Sequence, residues 1–272
     1  MEALAERLEA TVGGRRLAAI DPLGFSGLKT VEPSPDSLVG RELVRVGRRA
    51  KYLVLDFGGP RLLVHLSQAG RLDVEDPSKS TRPRGSVVRM RFDDGPSLLV
   101  REHGKERKAA WWVLAPDDDG PLAGLGPETD SDEFAALILE GTDRRRVHTL
   151  LRDQRTVAGV GRGFADDVLW RAQLSPFATL ASLEAGERER LLAAVRSVLA
   201  DGLERERERT GGLSEPKLGS GFEIHGRFGT PCPRCGDGLR RISYESHEIA
   251  YCPACQTGGK VLADRRMSRL VK

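Results

Sequence analysis

The residues best suited to chemistry are four cysteines, which are all the cysteines of the chain. They form two pairs with two residues between the members of each pair: Cys232 and Cys235, then Cys252 and Cys255. Two intervening residues let both sulfurs of a pair face one point, and Pro231, Gly236 and Pro253 favour the turns that this requires. Two such pairs complete a tetrahedral shell of four sulfurs at about 2.3 Å from a metal. The pattern predicts one structural Zn²⁺ ion, because a closed shell leaves no position for a substrate.

Two alternatives use the same cysteines. Disulfides are disfavoured in a chain expected to be cytoplasmic. Two paired turns favour zinc over an iron–sulfur centre, although a rubredoxin-like iron site has the same ligands. The residues between the pairs, 236–251, have room for a β-hairpin that a metal would hold together. No cysteine is left over for a nucleophile.

A second candidate is the glycine-rich segment DQRTVAGVGRGFADDVLWRAQLSP, residues 153–176. Gly159, Gly161 and Gly163 superficially resemble a dinucleotide loop. Such a loop must follow a strand, and the preceding residues RRRVHTLLRD are helical in pattern. We predict a helix, a tight turn and a second helix starting near Gly163. The amide groups at the start of that second helix form a natural seat for a phosphate.

The bulk composition limits the possible classes of protein. The chain has 272 residues, which suits about two domains, and its 39% hydrophobic and 31% charged residues indicate a soluble globular protein. Its longest apolar runs fall far short of the roughly 20 residues that cross a bilayer, and the first residues do not form a secretory signal. We expect a cytoplasmic protein without a membrane span.

Charge is concentrated near the C-terminus. Residues 221–272 carry nine Lys or Arg against five Asp or Glu, so this segment exceeds the net charge of +3 of the whole chain. A phosphate backbone selects for such local basicity. A solvated tail explains the same excess equally well.

The elements that position these motifs follow from hydrophobic periodicity. Residues 2–12 form an amphipathic pattern that predicts a helix ending at Gly13. Seven strand-like runs follow, at 17–20, 42–46, 51–57, 61–66, 86–92, 97–100 and 110–114. Short strands at this spacing predict a β-sandwich.

The rest of the chain is helical in pattern. We expect Asp130 or Ser131 to cap a first helix and Thr142 to cap a second, followed by a long amphipathic helix over 184–209. The predicted fold class is α+β. The predicted domains are a sandwich at 1–115, a linker at 116–133, a helical domain at 134–220 and a zinc module at 221–260.

The glycine-rich segment resembles the helix–two-turn–helix of the formamidopyrimidine-DNA glycosylase and endonuclease VIII family. That family's pattern is roughly DQ-x-x-VAGVGN-(I/V)-YADE-(I/V)-L-(F/W)-x-A-x-(I/L)-x-P. The segments HGRFGTPCPRCG and YCPACQ are similar to the family's zinc finger, RRAKYLVLDF and LLVHL to its sandwich strands, and LGPE to its linker. The resemblance covers nearly the whole chain in the same order.

The resemblance implies a DNA repair enzyme that binds damaged double-stranded DNA. Family members flip a damaged base into a pocket between the sandwich and the helical domain. An N-terminal proline amine then attacks the sugar, forming a Schiff base, and elimination cuts the strand. We therefore expect a bifunctional glycosylase of oxidised bases with AP lyase activity. We also expect it to be monomeric and associated with the nucleoid.

The resemblance also assigns site residues. Lys51 matches a lysine beside the lesion phosphate and is the predicted catalytic residue. Gln68 occupies the place of a methionine that fills the gap left by the flipped base. Arg162 stands where the family has asparagine, and His148 where it has a phosphate-binding lysine. His247 stands where the finger carries an arginine. These four residues are the predicted DNA contacts.

Two segments depart from the family pattern. The family opens Met-Pro-Glu-Leu-Pro, whereas this chain opens Met1-Glu2-Ala3-Leu4, so the nucleophilic proline and its glutamate are absent from it. A start codon set about six residues too late explains this, and true loss of the nucleophile is the alternative. The segment REHGKERKAA, residues 101–110, replaces a loop that probes the opposite strand, although Lys105, Arg107 and Lys108 keep positive charge there. The hypotheses that remain are a non-catalytic protein that binds damaged DNA and a zinc-ribbon adaptor for protein partners.

Overall fold

The computed structural model describes residues 1–104, 108–209, 221–244 and 247–263, and it leaves the side chains of Tyr244 and His247 out. Two compact units are present. One comprises residues 1–124 with 206–209, and the other comprises residues 125–205 with the described residues from 221 onward. The boundary at Gly124 falls inside the predicted linker 116–133, and the helices share a unit with the cysteine module. The division between 134–220 and 221–260 stays a prediction.

The first unit is a β-sandwich, and one helix, α1 (Glu2–Val12), precedes its strands in the chain. Its strands are β1 (Leu17–Pro22), β2 (Arg45–Arg49), β3 (Tyr52–Asp56), β4 (Arg61–His65), β5 (Gly70–Glu75), β6 (Ser86–Phe92), β7 (Ser97–Glu102) and β8 (Ala110–Leu114). One sheet has the order β1-β6-β7-β5 and the other the order β2-β3-β4-β8. Every pairing in both sheets is antiparallel. The predicted sandwich and α+β class are confirmed.

The sequence prediction missed strand β5. Its sequence, GRLDVE, contains a glycine and three charged residues, so it lacks the β-branched run by which the other strands were found. The glycine is required by the local backbone. A Cβ atom on Gly70 would lie 2.2 Å from the carbonyl oxygen of Leu66. The first position of β5 therefore accepts only glycine.

The core of the sandwich is formed by alternating residues of both sheets, and Leu8 and Val12 of α1 close it. Consecutive residues of a strand face opposite sides of its sheet. Accordingly, Trp111 is buried in the core, whereas Trp112 is half-buried on the outer face. There its ring packs edge-on against Tyr52, with 5.6 Å between the ring centroids.

The second unit is helical with a β-hairpin. Its elements are α2 (Asp132–Glu140), α3 (Val147–Arg152), α4 (Arg162–Arg171), α5 (Ala185–Glu208), β9 (Arg240–Tyr244), β10 (His247–Tyr251) and α6 (Pro253–Thr257). Residues 206–208 at the end of α5 belong to the first unit. Strands β9 and β10 pair antiparallel between the two cysteine pairs, as predicted. No helix within the described ranges combines the length and the apolar character needed to cross a bilayer.

The helix starts show where local signals succeed and fail. Ser131, one of the two predicted caps, accepts a hydrogen bond from the amide of Phe134 at 3.1 Å. The prediction that Thr142 caps the next helix is wrong, because α3 begins at Val147. The carboxylate of Asp143 instead accepts the amide of Arg145 at 2.7 Å, which holds this connection in a turn.

A buried ion pair crosses the first sheet of the sandwich. The guanidinium of Arg89 donates to both carboxylate oxygens of Glu75, at 2.7 and 3.2 Å, and also to the carbonyl of Thr81 at 2.6 Å. The two side chains are only 1% and 6% exposed. Burying two charges costs solvation energy, which this bidentate geometry offsets only while both partners are present.

We predict that Arg89→Met lowers the free energy of unfolding by about 3–5 kcal/mol, because Glu75 is left charged and buried. The double variant Arg89→Met, Glu75→Leu should recover most of that loss. Urea unfolding followed by circular dichroism measures both. Asp21→Asn, which breaks the half-exposed pair with Arg91, is the control and should cost less than about 1 kcal/mol. An equal loss in the single and double variants would contradict the prediction.

Candidate nucleic-acid interface and metal centre

One glutamine closes the glycine-rich turn between α3 and α4. The amide nitrogen of Gln154 donates to the carbonyls of Arg152 and Val160, at 3.0 and 2.9 Å. Its oxygen accepts the backbone amide of Gly159 at 3.0 Å. A single side chain therefore bonds the end of α3 to the residues just before α4, and the turn between the helices is fixed.

The preceding carboxylate stabilises the same turn from the other side. Asp153 accepts the hydroxyl of Thr156 at 2.8 Å and the amide of Arg155 at 3.2 Å. Arg145 donates to it as well, at 2.8 Å. The hydroxyl of Thr156 is the largest of the causes that together hold the pKa of Asp153 below its usual value. The turn is thus braced by a carboxylate that stays ionised at neutral pH.

The segment LGPE packs directly on this turn. The amide of Gly126 donates to the carbonyl of Gln154 at 2.9 Å, and Ala158 donates to the carbonyl of Pro127 at 2.9 Å. A Cβ atom on Gly126 would lie 2.5 Å from the backbone carbon of Thr156. Only glycine permits this approach of the two backbones.

Helix α4 begins at this turn. Gly161 precedes it in an extended conformation and Arg162 is its first residue, half-buried. At the second position, a Cβ atom on Gly163 would lie 2.4 Å from the ring of Phe222, so glycine allows that ring to pack on the first turn. The first amides of a helix have no partner within it, and the helix dipole makes this end positive. The start of α4, with a guanidinium beside it, suits a phosphate group.

The middle of α4 carries a fully buried carboxylate, Asp166. One oxygen lies 2.9 Å from Nε2 of His148 on α3, and the other lies 2.6 Å from Nδ1 of His225. The amide of Ala250 on β10 donates to it at 3.1 Å. Burial raises the pKa of Asp166, but the causes that lower it, led by the hydrogen bonds from His148 and His225, together outweigh burial, so the pKa lies below its usual value. Asp166 therefore joins α3, α4, the segment before the finger and the hairpin.

The next residue, Asp167, binds backbone only. Its carboxylate accepts the amides of Glu223, Ile224 and His225 at 2.8, 3.0 and 3.2 Å. Burial raises the pKa of Asp167 more than these three bonds lower it. The two neighbouring carboxyls thus anchor the segment that leads into the cysteine module.

The structure departs from the sequence prediction at His148. Its side chain is 1% exposed and its Nε2 lies on Asp166, while its Nδ1 has no hydrogen-bond partner among the described residues. A ring placed in this way contacts protein and is not accessible to a phosphate. We assign His148 a structural role in place of the predicted DNA contact.

Two further predicted site residues, Lys51 and Gln68, lie at turns of the sandwich. Lys51 lies at the turn between β2 and β3, next to Ala50, whose φ is 53°. Gln68 is exposed on the turn between β4 and β5. His247 begins β10, but its side chain lies outside the described part of the structure. The same holds for Lys105 and Arg107, which fall within residues 105–107.

The four cysteines converge on one point. Their sulfurs all lie within 4.8 Å of one another. Three of the separations are 3.5 Å for Cys235 to Cys252, 3.5 Å for Cys235 to Cys255 and 3.9 Å for Cys232 to Cys255. A tetrahedral centre with bonds of about 2.3 Å separates its ligands by about 3.8 Å. The described sulfurs therefore fit a four-coordinate metal such as zinc, and none of them forms a disulfide.

The thiols differ in acidity. Burial raises the pKa of Cys232, but the amides of Cys235 and Arg234, the indole N–H of Trp170 and the thiol of Cys252 lower it, to about 7. Burial raises the pKa of Cys252 and of Cys255.

Four residues of this site were not predicted from the sequence: Asp166, His225, Trp170 and Arg234. Asp166 gave a partial signal, because it is a charged residue among the apolar positions of a predicted helix. The partnership of His225 with His148 gave none, since 77 residues of sequence separate them and only the fold brings them to one carboxylate.

Comparison with known proteins identifies relatives over nearly the whole chain. The formamidopyrimidine-DNA glycosylase N-terminal domain matches residues 1–105, and the formamidopyrimidine-DNA glycosylase H2TH domain matches residues 125–212. A formamidopyrimidine-DNA glycosylase of Geobacter metallireducens is 33% identical over 269 residues, covering 94% of this chain and 98% of the relative. An uncharacterised formamidopyrimidine-DNA glycosylase-like protein of Mycobacterium tuberculosis is 41% identical over 151 residues, covering 54% of this chain and 94% of the relative.

Solved structures agree with the sequence comparison. The MutM (Fpg) protein of Thermus thermophilus superimposes with a TM-score of 0.80 at 28% identity, over 95% of this chain and 97% of that one. A Lactococcus lactis Fpg variant in complex with DNA containing Fapy-dG superimposes with a TM-score of 0.83 at 22% identity, over 94% and 97% of the two chains. The second likeness concerns the fold alone.

We predict that Asp166→Asn lowers the free energy of unfolding by about 2–4 kcal/mol. An amide offers one acceptor oxygen, so at least one of the three donors at Asp166 would face the new NH₂ group. Thermal and urea unfolding measure the loss. Asp201→Asn, at the partly exposed ion pair with Arg171, is the control and should cost less than about 1 kcal/mol.

The same substitution should change the acid sensitivity. Because the folded-state pKa of Asp166 is lowered, its contribution is complete above the usual carboxyl pKa of about 4 and is lost as pH falls below it. The wild-type protein should therefore lose more stability than Asp166→Asn between about pH 5 and pH 3. Parallel acid-unfolding slopes in the two proteins would contradict this.

Proposed function

The chain belongs to the formamidopyrimidine-DNA glycosylase family, and on that premise we propose that it is a base-excision repair enzyme acting on oxidised bases in duplex DNA. After excision it cleaves the strand at the abasic site as a lyase. The observation that carries the proposal is the presence, in order, of both family domains together with a four-cysteine hairpin. A purely DNA-binding role is not favoured by these relatives.

The start of α4 is the proposed phosphate seat. Its amides and the Arg162 guanidinium supply donors and positive charge at one place, on a helix whose position Gln154 and Asp166 fix. With His148 buried, Arg162 is a cation that the first turn of α4 offers to the backbone of DNA. Contacts of this kind position a protein on DNA without reading its sequence.

The sandwich contributes the other two proposed contacts. Gln68 is exposed at the tip of a turn, where its amide can enter the space that a flipped base leaves. Lys51 is held at a tight turn, and we assign it to the phosphate or sugar of the lesion. Its ammonium would stabilise the negative charge that develops on the leaving oxygen as the strand is cut.

The metal of the cysteine module is proposed to be zinc with a structural role. The sulfur separations match a four-thiolate zinc shell, and such a shell is closed to water and substrate. The ion would hold β9, β10 and the turn around Cys232 in place, and it takes no part in the chemistry.

The lyase step requires a nucleophilic amine, either primary or secondary. In the proposed reaction the amine attacks C1′ of the sugar, and the damaged base leaves with the electrons of the glycosidic bond and takes up a proton. The bound amine then loses a proton, and its lone pair breaks the bond from C1′ to O4′, so the sugar ring opens and O4′ takes up a proton. The resulting iminium allows loss of a proton from C2′, whose electrons break the bond from C3′ to its oxygen, and the phosphate leaves. Borohydride reduces the iminium to a stable amine and so links the protein covalently to DNA.

We predict a covalent complex when the protein is treated with borohydride on a duplex containing an abasic site. Lys51→Ala should form that complex about 10–100 times more slowly, since loss of one charge-assisted contact costs about 1.5–3 kcal/mol. Lys51→Arg should restore part of the rate, and Lys29→Ala, an exposed lysine of the same unit, should leave it unchanged.

The outcomes separate three assignments. Complete loss of the adduct in Lys51→Ala, with duplex binding intact, would make Lys51 itself the amine. A slower but complete reaction assigns it to positioning. Absence of any adduct or strand cleavage in the wild-type protein, with tight duplex binding, would overturn the enzymatic proposal.

The affinity for DNA falls as salt rises, and we predict that Arg162→Ala makes the slope of log affinity against log salt concentration shallower by about 1. The reason is that one phosphate contact releases about one counterion. Fluorescence anisotropy on a short duplex at several salt concentrations measures the slope. Arg162→Lys should preserve it. Arg190→Ala, an exposed arginine on α5 of the same unit, is the control. An unchanged slope in Arg162→Ala would remove this residue from the interface.

A further inference from the structure

The indole of Trp170 contacts a sulfur of the metal centre. Its Nε1 lies 3.3 Å from Sγ of Cys232, with the N–H donating. Trp170 is 7% exposed and Cys232 is 3% exposed. Water therefore has little access to replace this donor. Trp170 lies in the last turn of α4, so the bond runs from that helix to a proposed metal ligand.

The chemistry of the pair favours a charged sulfur. The indole nitrogen only donates, and a thiol is a weak acceptor. Four thiolates around Zn²⁺ carry two net negative charges, which are stabilised by N–H donors outside the coordination shell. Groups that orient metal ligands in this way commonly change metal affinity 10–100-fold when they are removed.

Arg234 fixes the orientation of the indole. Its guanidinium lies 4.4 Å from the ring centroid of Trp170. It also donates to the carbonyls of Trp170 and Arg171, at 3.0 and 3.3 Å. Arg234 stands between Cys232 and Cys235, so the first cysteine turn is attached to the end of α4 by three kinds of contact. Only the indole N–H among them touches a ligand atom.

The second cysteine turn is attached differently. The side chain of Gln256 accepts the amide of Cys252 at 2.8 Å and donates to the carbonyl of Leu174 at 2.9 Å. This bridge bonds backbone to backbone and leaves the sulfurs alone. Of these two attachments, the one through Trp170 is therefore expected to affect the metal affinity.

We propose that Trp170 is a positioning residue for the metal, which holds the Cys232 thiolate through its N–H and so makes the zinc affinity of the finger depend on helix α4. The inference rests on the proposed zinc site. It links the metal to the same helix whose first turn is the proposed phosphate seat.

The experiment measures zinc affinity by competition with a chelator of known affinity, using the full chain. Trp170→Phe keeps a ring in the site and removes the donor, and it should weaken zinc binding about 10–100-fold. Replacing Trp170 with β-(3-benzothienyl)alanine keeps the indole shape and substitutes sulfur for the N–H, and it should weaken binding to the same extent. Trp112→Phe, on the sandwich, is the matched control and should bind zinc as the wild type does.

A folded benzothienyl variant whose zinc affinity is within twofold of wild type would overturn the proposal. If Trp170→Phe is weakened at the same time, the effect belongs to the packing of the ring. Failure of the wild-type chain to bind one zinc ion would instead refute the metal site itself, so the two failures are distinguishable.

Discussion

The second unit depends on how helix α4 accommodates two adjacent buried carboxylates. A carboxylate without donors would be too costly to bury, and here Asp166 and Asp167 together accept from two imidazoles and four backbone amides. The donors come from α3, from the segment before the finger and from β10. Satisfying these two side chains therefore requires all these elements to be in their native places at once. The arrangement is a strong constraint on the geometry of the unit.

Much of the fold was predictable because it depends on local patterns. Alternation predicted seven of the eight sandwich strands, the cysteine spacing predicted that the four sulfurs converge, and the segment before Gly163 predicted a helix and a turn. Strand β5 was missed because its pairing with β7 is decided by tertiary contacts. The cap at Thr142 was wrong because a nearby carboxylate competes for the backbone. Local signals fail where a distant or neighbouring partner supplies more hydrogen bonds than the local one.

The candidate site was predictable in its residue types and less so in their roles. Arg162 and the cysteines lie where the motif places them, since the turn geometry follows from glycines and from Gln154. His148 shows the limit. The sequence specifies a histidine on α3, but whether it meets solvent or a carboxylate depends on His225 and Ala250, which fold against α4 from far along the chain. Burial of a polar residue is a property of its partners, and a single sequence does not display them.

The four sulfurs of the proposed zinc site are unevenly covered. Cys232 and Cys252 are buried, Cys255 is half-buried and Cys235 is exposed. Competing ligands from solvent therefore reach the sulfur of Cys235 before the others. Exchange of the ion would begin by release from that side, while the sulfurs on the helix side still hold it. A metal held by these four sulfurs would therefore be loaded and released from the side of Cys235.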